Sequence, residues 1–385
     1  MKFDEVINRR GTYSTQWDYI EDRFGEGTKD LTPFSISDTD FKSPQPILDT
    51  ILERTKHGIF GYSRWNHDEY KNSIQKWYKN RYKTDIEKDW IVYSPTVIYS
   101  ISVLLEHLVG LDGKVMTHTP RYDGFSKILK PYNLYEAQLK EDKDGIYRTD
   151  FIQIEKGFKD GVKVFLLCNP ENPTGKVWGL TELEKLISLC EKYDVILLSD
   201  DIHMDIARKE VTPVLKIDSK RCIIVSSASK TFNTPALGGS YVLIPMAKLR
   251  NEFIEHIKER DSVSSPTIFG VVSTIAGYNH CEKWVDELNE YLTKNCEYVV
   301  KELDGYKGLK VRIPEATYLM WIDFKGTNIK LEDLKKALVE VGKVAIMSGE
   351  NYGDPYKLRL NVGCPLEKVK IGVEGVKRAV EKLSK

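Results

Sequence analysis

The 385-residue sequence contains no C-x-x-C pair: Cys168, Cys190, Cys222, Cys281, Cys296 and Cys364 are scattered along it. That spacing argues against a zinc site or a disulfide framework, so reduced core-filling thiols and no metal are expected. An excess of one charge is also missing, because 57 Lys plus Arg balance 57 Asp plus Glu. Nothing electrostatic therefore points to nucleic acid or an anionic membrane as partner. No apolar run approaches the ~20 residues needed to cross a bilayer. The opening Met1-Lys2-Phe3-Asp4-Glu5 lacks the apolar stretch of a secretion signal, so a cytoplasmic protein is expected. Repeats, low-complexity tracts and disordered linkers are absent too. What remains, 41% hydrophobic and 30% charged residues, suits a globular protein too long for one simple core, and two domains are expected.

Between Lys163 and Ile244 short apolar runs alternate with helical patterns: Val164 to Leu167, Val195 to Leu198, Ile223 to Val225 and Tyr241 to Ile244. Runs apolar on both faces and separated by helices predict a mostly parallel sheet between helices, hence an α/β class. Thr181 and Glu184 have the spacing of a capping box, followed by Leu183, Leu186, Ile187 and Cys190 at helical intervals. The final hundred residues change style. Long charged helical patterns over 281–303, 331–341 and 366–383 flank strand-like 309–313, 318–322 and 357–361. This predicts a large domain over 46–285 and a smaller α+β domain over 286–385, which the segment 1–45 joins, with a cleft shared between the two.

Three polar signatures interrupt the apolar runs: Asn169-Pro170-Glu171-Asn172-Pro173-Thr174-Gly175, Ser199-Asp200-Asp201-Ile202-His203 and Ser227-Ala228-Ser229-Lys230-Thr231. In open α/β sheets ligands sit beyond the carboxyl ends of strands, which is where each falls. Singly, the bland readings are better: a surface lysine, a loop-capping aspartate, turn-forming Asn-Pro pairs. In this order, an amide, then an aspartate closing a strand, then a lysine after the next strand resemble the cofactor site of pyridoxal phosphate enzymes of the aspartate aminotransferase type. The resemblance implies the type I fold of that superfamily, with pyridoxal 5'-phosphate as cofactor. A lysine amine can condense with the cofactor's aldehyde, and a carboxylate that keeps the pyridine nitrogen protonated makes the ring an electron sink. Lys230 and Asp200 would fill those roles, and Asn172 would donate to the ring's 3-oxygen.

The resemblance assigns further positions. Ser94-Pro95-Thr96-Val97-Ile98 opens a helical run, and a helix start offers backbone N–H groups to a phosphate, so Thr96, Val97 and Ile98 would form the phosphate cup with Ser227. Tyr122 would stack on the pyridine ring, although with 21 tyrosines in the chain a core role is the bland alternative. His203 would lie near the ring. Arg359, in Leu358-Arg359-Leu360-Asn361, would grip the substrate α-carboxylate with two parallel hydrogen bonds; the alternative is a buried salt bridge. Tyr62 would reach the phosphate of a neighbouring subunit, implying a homodimer with shared active sites.

One departure narrows the family. Many of its aminotransferases carry a phosphate-binding arginine eight residues after the lysine, where this sequence has Gly238. The block Phe3 to Asp18, with Tyr62-Ser63-Arg64-Trp65, Ser229-Lys230-Thr231-Phe232-Asn233 and Arg359-Leu360-Asn361, is similar to the MalY/PatB group of cystathionine β-lyases, or C–S lyases. Ser37-Asp38-Thr39-Asp40-Phe41 stands for that group's usual Ala-Asp-Met-Asp-Phe, and Asp201 for its usual Glu; Asp38 would lie near the substrate. The resemblance implies that Lys230, once released, removes the Cα proton as general base. A thiolate then leaves Cβ, giving pyruvate and ammonia from cystathionine or a cysteine S-conjugate. An aminotransferase shares the early steps and remains the alternative, with a non-catalytic regulatory protein on the same fold more remote.

Overall fold

The computed structural model describes residues 3–143 and 145–384. The chain divides into two compact units: a larger one of residues 43–171 and 176–285, and a smaller one formed by the stretch before Ser43, by Asn172–Gly175 and by the stretch from Asp286 onward.

The larger unit is built on eight strands: β1 (Ile91–Ser94), β2 (Lys114–Thr119), β3 (Asn133–Glu141), β4 (Tyr147–Thr149), β5 (Val164–Cys168), β6 (Ile196–Asp200), β7 (Cys222–Ser226) and β8 (Ser240–Leu243). They form one sheet in the order β1-β8-β7-β6-β5-β2-β3-β4. The run from β7 through β6, β5 and β2 to β3 is parallel, whereas β8 and β1 at one edge and β4 at the other pair antiparallel. The expected α/β architecture is thus the one the chain adopts. Strands β5 and β7 are buried along their whole length, with Leu166, Ile223 and Val225 on one core cluster. Burial on both faces is why these strands read as continuous apolar runs rather than as alternating ones.

Two local expectations fail. The helix Leu180–Tyr193 has Gly179 as its N-cap and no side-chain cap. The start is stabilised elsewhere, since Glu182 in the first turn pairs with Lys176 at 2.8 Å and accepts from the Thr149 hydroxyl. Segment 309–313 makes only an isolated bridge, Lys310 to Asp323; Pro314 follows and has no N–H with which to extend a ladder.

In the smaller unit β9 (Leu319–Asp323), β10 (Met347–Ser348) and β11 (Lys357–Asn361) form an antiparallel sheet with β11 central. Thr32–Pro33 pairs in parallel with Val344–Ala345, tying the N-terminal stretch to the C-terminal one. A buried ionic network strengthens that tie. Arg9 reaches Asp38 and Asp40, each at 2.8 Å, Lys368 donates to Asp40, and the Trp17 indole donates to Asp40 at 3.2 Å. Burial alone would push the Asp40 carboxyl up, but the Lys368 charge and the donors around it outweigh burial and hold it below its ordinary value.

A folded-state pKa below the unfolded value gives stability that is present above about pH 4 and lost as the pH falls through the folded value. We therefore expect Asp40→Ala, which strands Lys368, to lower unfolding free energy at neutral pH by about 3–5 kcal/mol. It should also lose less than the wild type on further acidification. Urea midpoints from neutral pH into the acid range check both, and an unchanged midpoint at neutral pH would refute the role of the network.

Candidate active site

Pairing in register aligns the carboxyl ends of β5, β6 and β7: Cys168 lies opposite Asp200, and Asp200 opposite Val225. The ladder continues one step past the strands, through Asn169 N–H to the Asp200 carbonyl (3.0 Å) and Asp201 N–H to the Val225 carbonyl (2.9 Å). Polar side chains therefore emerge at one edge with their backbone groups already satisfied. Asp200 is buried. One of its oxygens accepts the Ile202 N–H at 3.1 Å, and the other receives no donor from the described residues. Burial raises its pKa to about 7, against the pull of the Ile202 N–H and the Lys230 charge. A half-satisfied buried carboxylate of this kind suits a partner that brings its own N–H.

Lys230 follows β7 within a single helical turn, Ser229–Phe232, and is half-buried. The next residue anchors that turn. The Thr231 hydroxyl donates to Asp205 at 2.6 Å, and Asp205 also accepts from the Trp77 indole (3.0 Å) and the Tyr82 hydroxyl. Sequence reading missed Asp205; a buried acid five residues after Asp200 carries no recognisable motif, and only the packing of the helix Asp68–Tyr82 reveals it.

The helix Val97–Val109 starts directly after β1, capped by the Thr96 hydroxyl, which accepts the Tyr99 N–H at 3.2 Å. The N–H groups of Val97 and Ile98 precede the first intrahelical bond and are left to bind an anion. Gly239 links this helix start to Ser227: its N–H donates to the Pro95 carbonyl (3.0 Å) and its carbonyl accepts the Ser227 hydroxyl (2.8 Å). Thr96, Val97, Ile98 and Ser227 thus share one edge of the sheet, with the Ser227 proton committed to Gly239. Tyr122 sits at the start of the short helix after β2, edge-on to Phe125 at 5.8 Å, and His203 is buried three residues past Asp200. Tyr62 is different: it is 99% exposed and makes no hydrogen bond or ring contact with the described residues, while Ser63 beside it is fastened to Ser265 and Pro266.

Gly238 is a glycine for a backbone reason. Its φ is +72°, and an added Cβ would lie 3.1 Å from the Thr267 hydroxyl, while a Cβ on the facing Gly270 would lie 2.1 Å from the Gly238 carbonyl. Where many members of the family carry an arginine, a side chain here would have to adopt a left-handed backbone and push against Thr267.

In the smaller unit Arg359 is central on β11 and only 3% exposed. Its guanidinium donates to the Asn172 side-chain oxygen (3.1 Å) and the Ser35 carbonyl (2.7 Å) and lies over the Tyr352 ring. No carboxylate among the described residues pairs with it, and its Nε has no hydrogen-bond partner. The salt-bridge alternative is therefore not realised. Because Arg359 holds the oxygen of the Asn172 amide, the NH2 end is the one left to donate elsewhere. Asp38 is tied to Arg9, and its carbonyl accepts from Asn361 at 2.6 Å. The backbone of Ser35 to Asp38 is further held by Tyr318, which donates to the Ser37 carbonyl at 3.2 Å.

Residues 29–376 match the family described as aminotransferase class I and II. The chain belongs to that family. It is 39% identical to "Protein MalY" of Escherichia coli (strain K12), over 98% of each chain. It is 32% identical to "Cystathionine beta-lyase PatB" of Bacillus subtilis (strain 168), over 99% of this chain and 100% of that one. Among solved structures it superposes on cystalysin of Treponema denticola, which contains a pyridoxal 5'-phosphate cofactor, with a TM-score of 0.93 at 28% identity, covering 99% of each chain. A PLP-bound C-S lyase of Staphylococcus hominis gives 0.92 at 29% identity, over 99% of this chain and 98% of that one. The expected fold and family resemblance thus hold along the whole chain.

Introducing the family's arginine as Gly238→Arg should destabilise the fold by about 1–3 kcal/mol, the range for forcing atoms into filled space. Thermal unfolding of the variant checks this, and a melting temperature equal to the wild type's would contradict the crowding at Thr267.

Proposed function

We propose that this family member is a pyridoxal 5'-phosphate-dependent carbon–sulfur β-lyase of the cystathionine β-lyase type, cytoplasmic and homodimeric. It would release a thiol, pyruvate and ammonia from cystathionine or a cysteine S-conjugate. The single structural observation that carries an amino acid substrate is Arg359: a buried guanidinium without a counter-charge is costly unless a ligand supplies the carboxylate. Elimination rather than transamination is supported by the relatives named as cystathionine β-lyases or C–S lyases and by a glycine, Gly238, where many aminotransferases of the family carry an arginine.

When bound, the cofactor supplies an aldehyde for a lysine amine and a ring that accepts the electron pair left at Cα. Lys230 would hold the cofactor and would serve, as a free amine, as the base for the Cα proton; the turn clamped by Asp205 through Thr231 positions it. Asp200, with one oxygen free of donors from the described residues, would keep the ring nitrogen protonated. The Asn172 amide, oriented by Arg359, donates to the ring's 3-oxygen. The N–H groups of Val97 and Ile98 and the hydroxyls of Thr96 and Ser227 would hold the phosphate. Tyr122 would stack on the ring, with His203 beside it, and Asp38 would border the substrate.

Incubation with cystathionine should give pyruvate continuously without a keto acid; a keto-acid requirement with a new amino acid accumulating would decide for transamination. Arg359→Ala should lower kcat/KM by about 2–4 kcal/mol of transition-state stabilisation while the cofactor stays bound. Unchanged substrate affinity in that variant would remove Arg359 from the substrate site.

The exposure of Tyr62 supports the shared site, since an aromatic ring wholly in solvent in one chain is available to a second copy. Mixing inactive Lys230→Ala with a Tyr62→Phe variant of reduced activity, under subunit exchange, should restore activity: one site of each heterodimer then carries both lesions and the other neither. A mixture no more active than its components, with exchange verified, would place both residues in one chain.

A further inference from the structure

Two consecutive acids close β6, and the proposed reaction uses only the first. Asp201, the second, is fully buried at 0% exposure, and no Lys, Arg or His among the described residues forms an ion pair with it. The Ser199 hydroxyl meets one of its oxygens, and the other has no hydrogen-bond partner among the described residues. The Ser226 hydroxyl donates to the backbone carbonyl of Asp201 and not to its carboxyl. The titratable groups that feel it are Asp200 on its own strand, Tyr78 of the helix Asp68–Tyr82 and Cys222 of β7, and none of them brings a positive charge. An ionised carboxylate in this place would hold a full charge in a low-dielectric interior with one hydroxyl as its support, and such a group keeps its proton instead. Asp200, beside it, differs in having the Ile202 N–H and the Lys230 charge.

We infer that Asp201 remains a neutral carboxylic acid in the working enzyme, so that the Asp200–Asp201 pair carries one negative charge and that charge resides on Asp200. Burial, with the neighbouring Asp200 adding to it, pushes Asp201 up to about 8, whereas Asp200 is pushed to about 7 and is pulled back by Lys230. The two protons leave as a coupled pair, and the surroundings assign the first departure to Asp200. Asp201 is thus a positioning residue for charge: as an acid it can donate to Ser199, and it leaves the field opposite the cofactor ring to Asp200 alone. The protonation of Asp201 is independent of the proposed reaction; only its consequence for the ring rests on that reading.

The folded pKa lies above the unfolded value of about 4, so Asp201 costs stability progressively as the pH rises from about 4 to about 8, after which the cost is constant. Asp201→Asn, which keeps the shape and removes the titration, should therefore gain on the wild type. In full-length purified protein, its melting temperature relative to wild type should rise between about pH 5 and about pH 8 and then level off. Cofactor retention and the visible band at neutral pH should stay as in the wild type. Infrared titration of the wild type should show the carbonyl stretch of an un-ionised acid, lost at alkaline pH and missing from the variant; this reading stands even if the variant fails to fold. Parallel stability curves, or no such stretch in the wild type, would overturn the inference. So would cofactor binding weakened by roughly tenfold or more, the worth of one pKa unit, and restored by Asp201→Glu, because Asp201 would then be serving as an anion. Failure of the lyase assay would leave these readings untouched, which separates the two conclusions.

Discussion

The register of β5, β6 and β7 is the constraint on which the larger unit depends. These strands are buried side by side, so their backbone groups have no recourse to water and must be paired to the last residue. Pairing brings Cys168, Asp200 and Val225 level, and the extra bonds at Asn169 and Asp201 carry the ladder one step further. Asn169, Asp200, Asp201 and Ser227 therefore leave the sheet along one edge. A slip of one residue would turn every side chain to the opposite face, and Lys230, one helical turn beyond β7, would lose its relation to Asp200.

Charge is treated in two opposite ways. Arg9 and Lys368 meet Asp38 and Asp40 in a balanced buried network that fastens the N-terminal stretch into the smaller unit. Among the described residues, Arg359, in the same unit, is left without a carboxylate, and Asp200 is buried with the Ile202 N–H as the donor to its carboxylate. Buried charges without partners are expensive, and folds that keep them do so at functional sites. The contrast between the balanced network and the unbalanced groups separates structural charge from chemical charge.

How legible the molecule was follows the range of the forces involved. Runs such as Val164 to Leu167 and Ile223 to Val225 announced their strands because burial on both faces demands continuous apolar sequence. The helix Leu180–Tyr193 was legible from its periodicity but not from its start, where Gly179 and the Glu182 contacts replaced the expected Thr181–Glu184 box. Segment 309–313 had the composition of a strand, but its pairing stops at the single bridge from Lys310 to Asp323. Asp205 was invisible, since its meaning lies in Trp77 and Tyr82, more than a hundred residues away.

By itself the sequence determined the class of the fold, the order of strand, amide, aspartate and lysine, and the resemblance to a family, because these depend on residue type and local spacing. Tertiary structure decided what each polar group meets. Among the described residues it left Arg359 without a carboxylate and one oxygen of Asp201 without a donor, turned the Asn172 amide by its oxygen, and set Gly238 in a left-handed conformation against Thr267. Such outcomes depend on partners far apart in the chain and on the exclusion of water between them, and neither is written in any short stretch of residues.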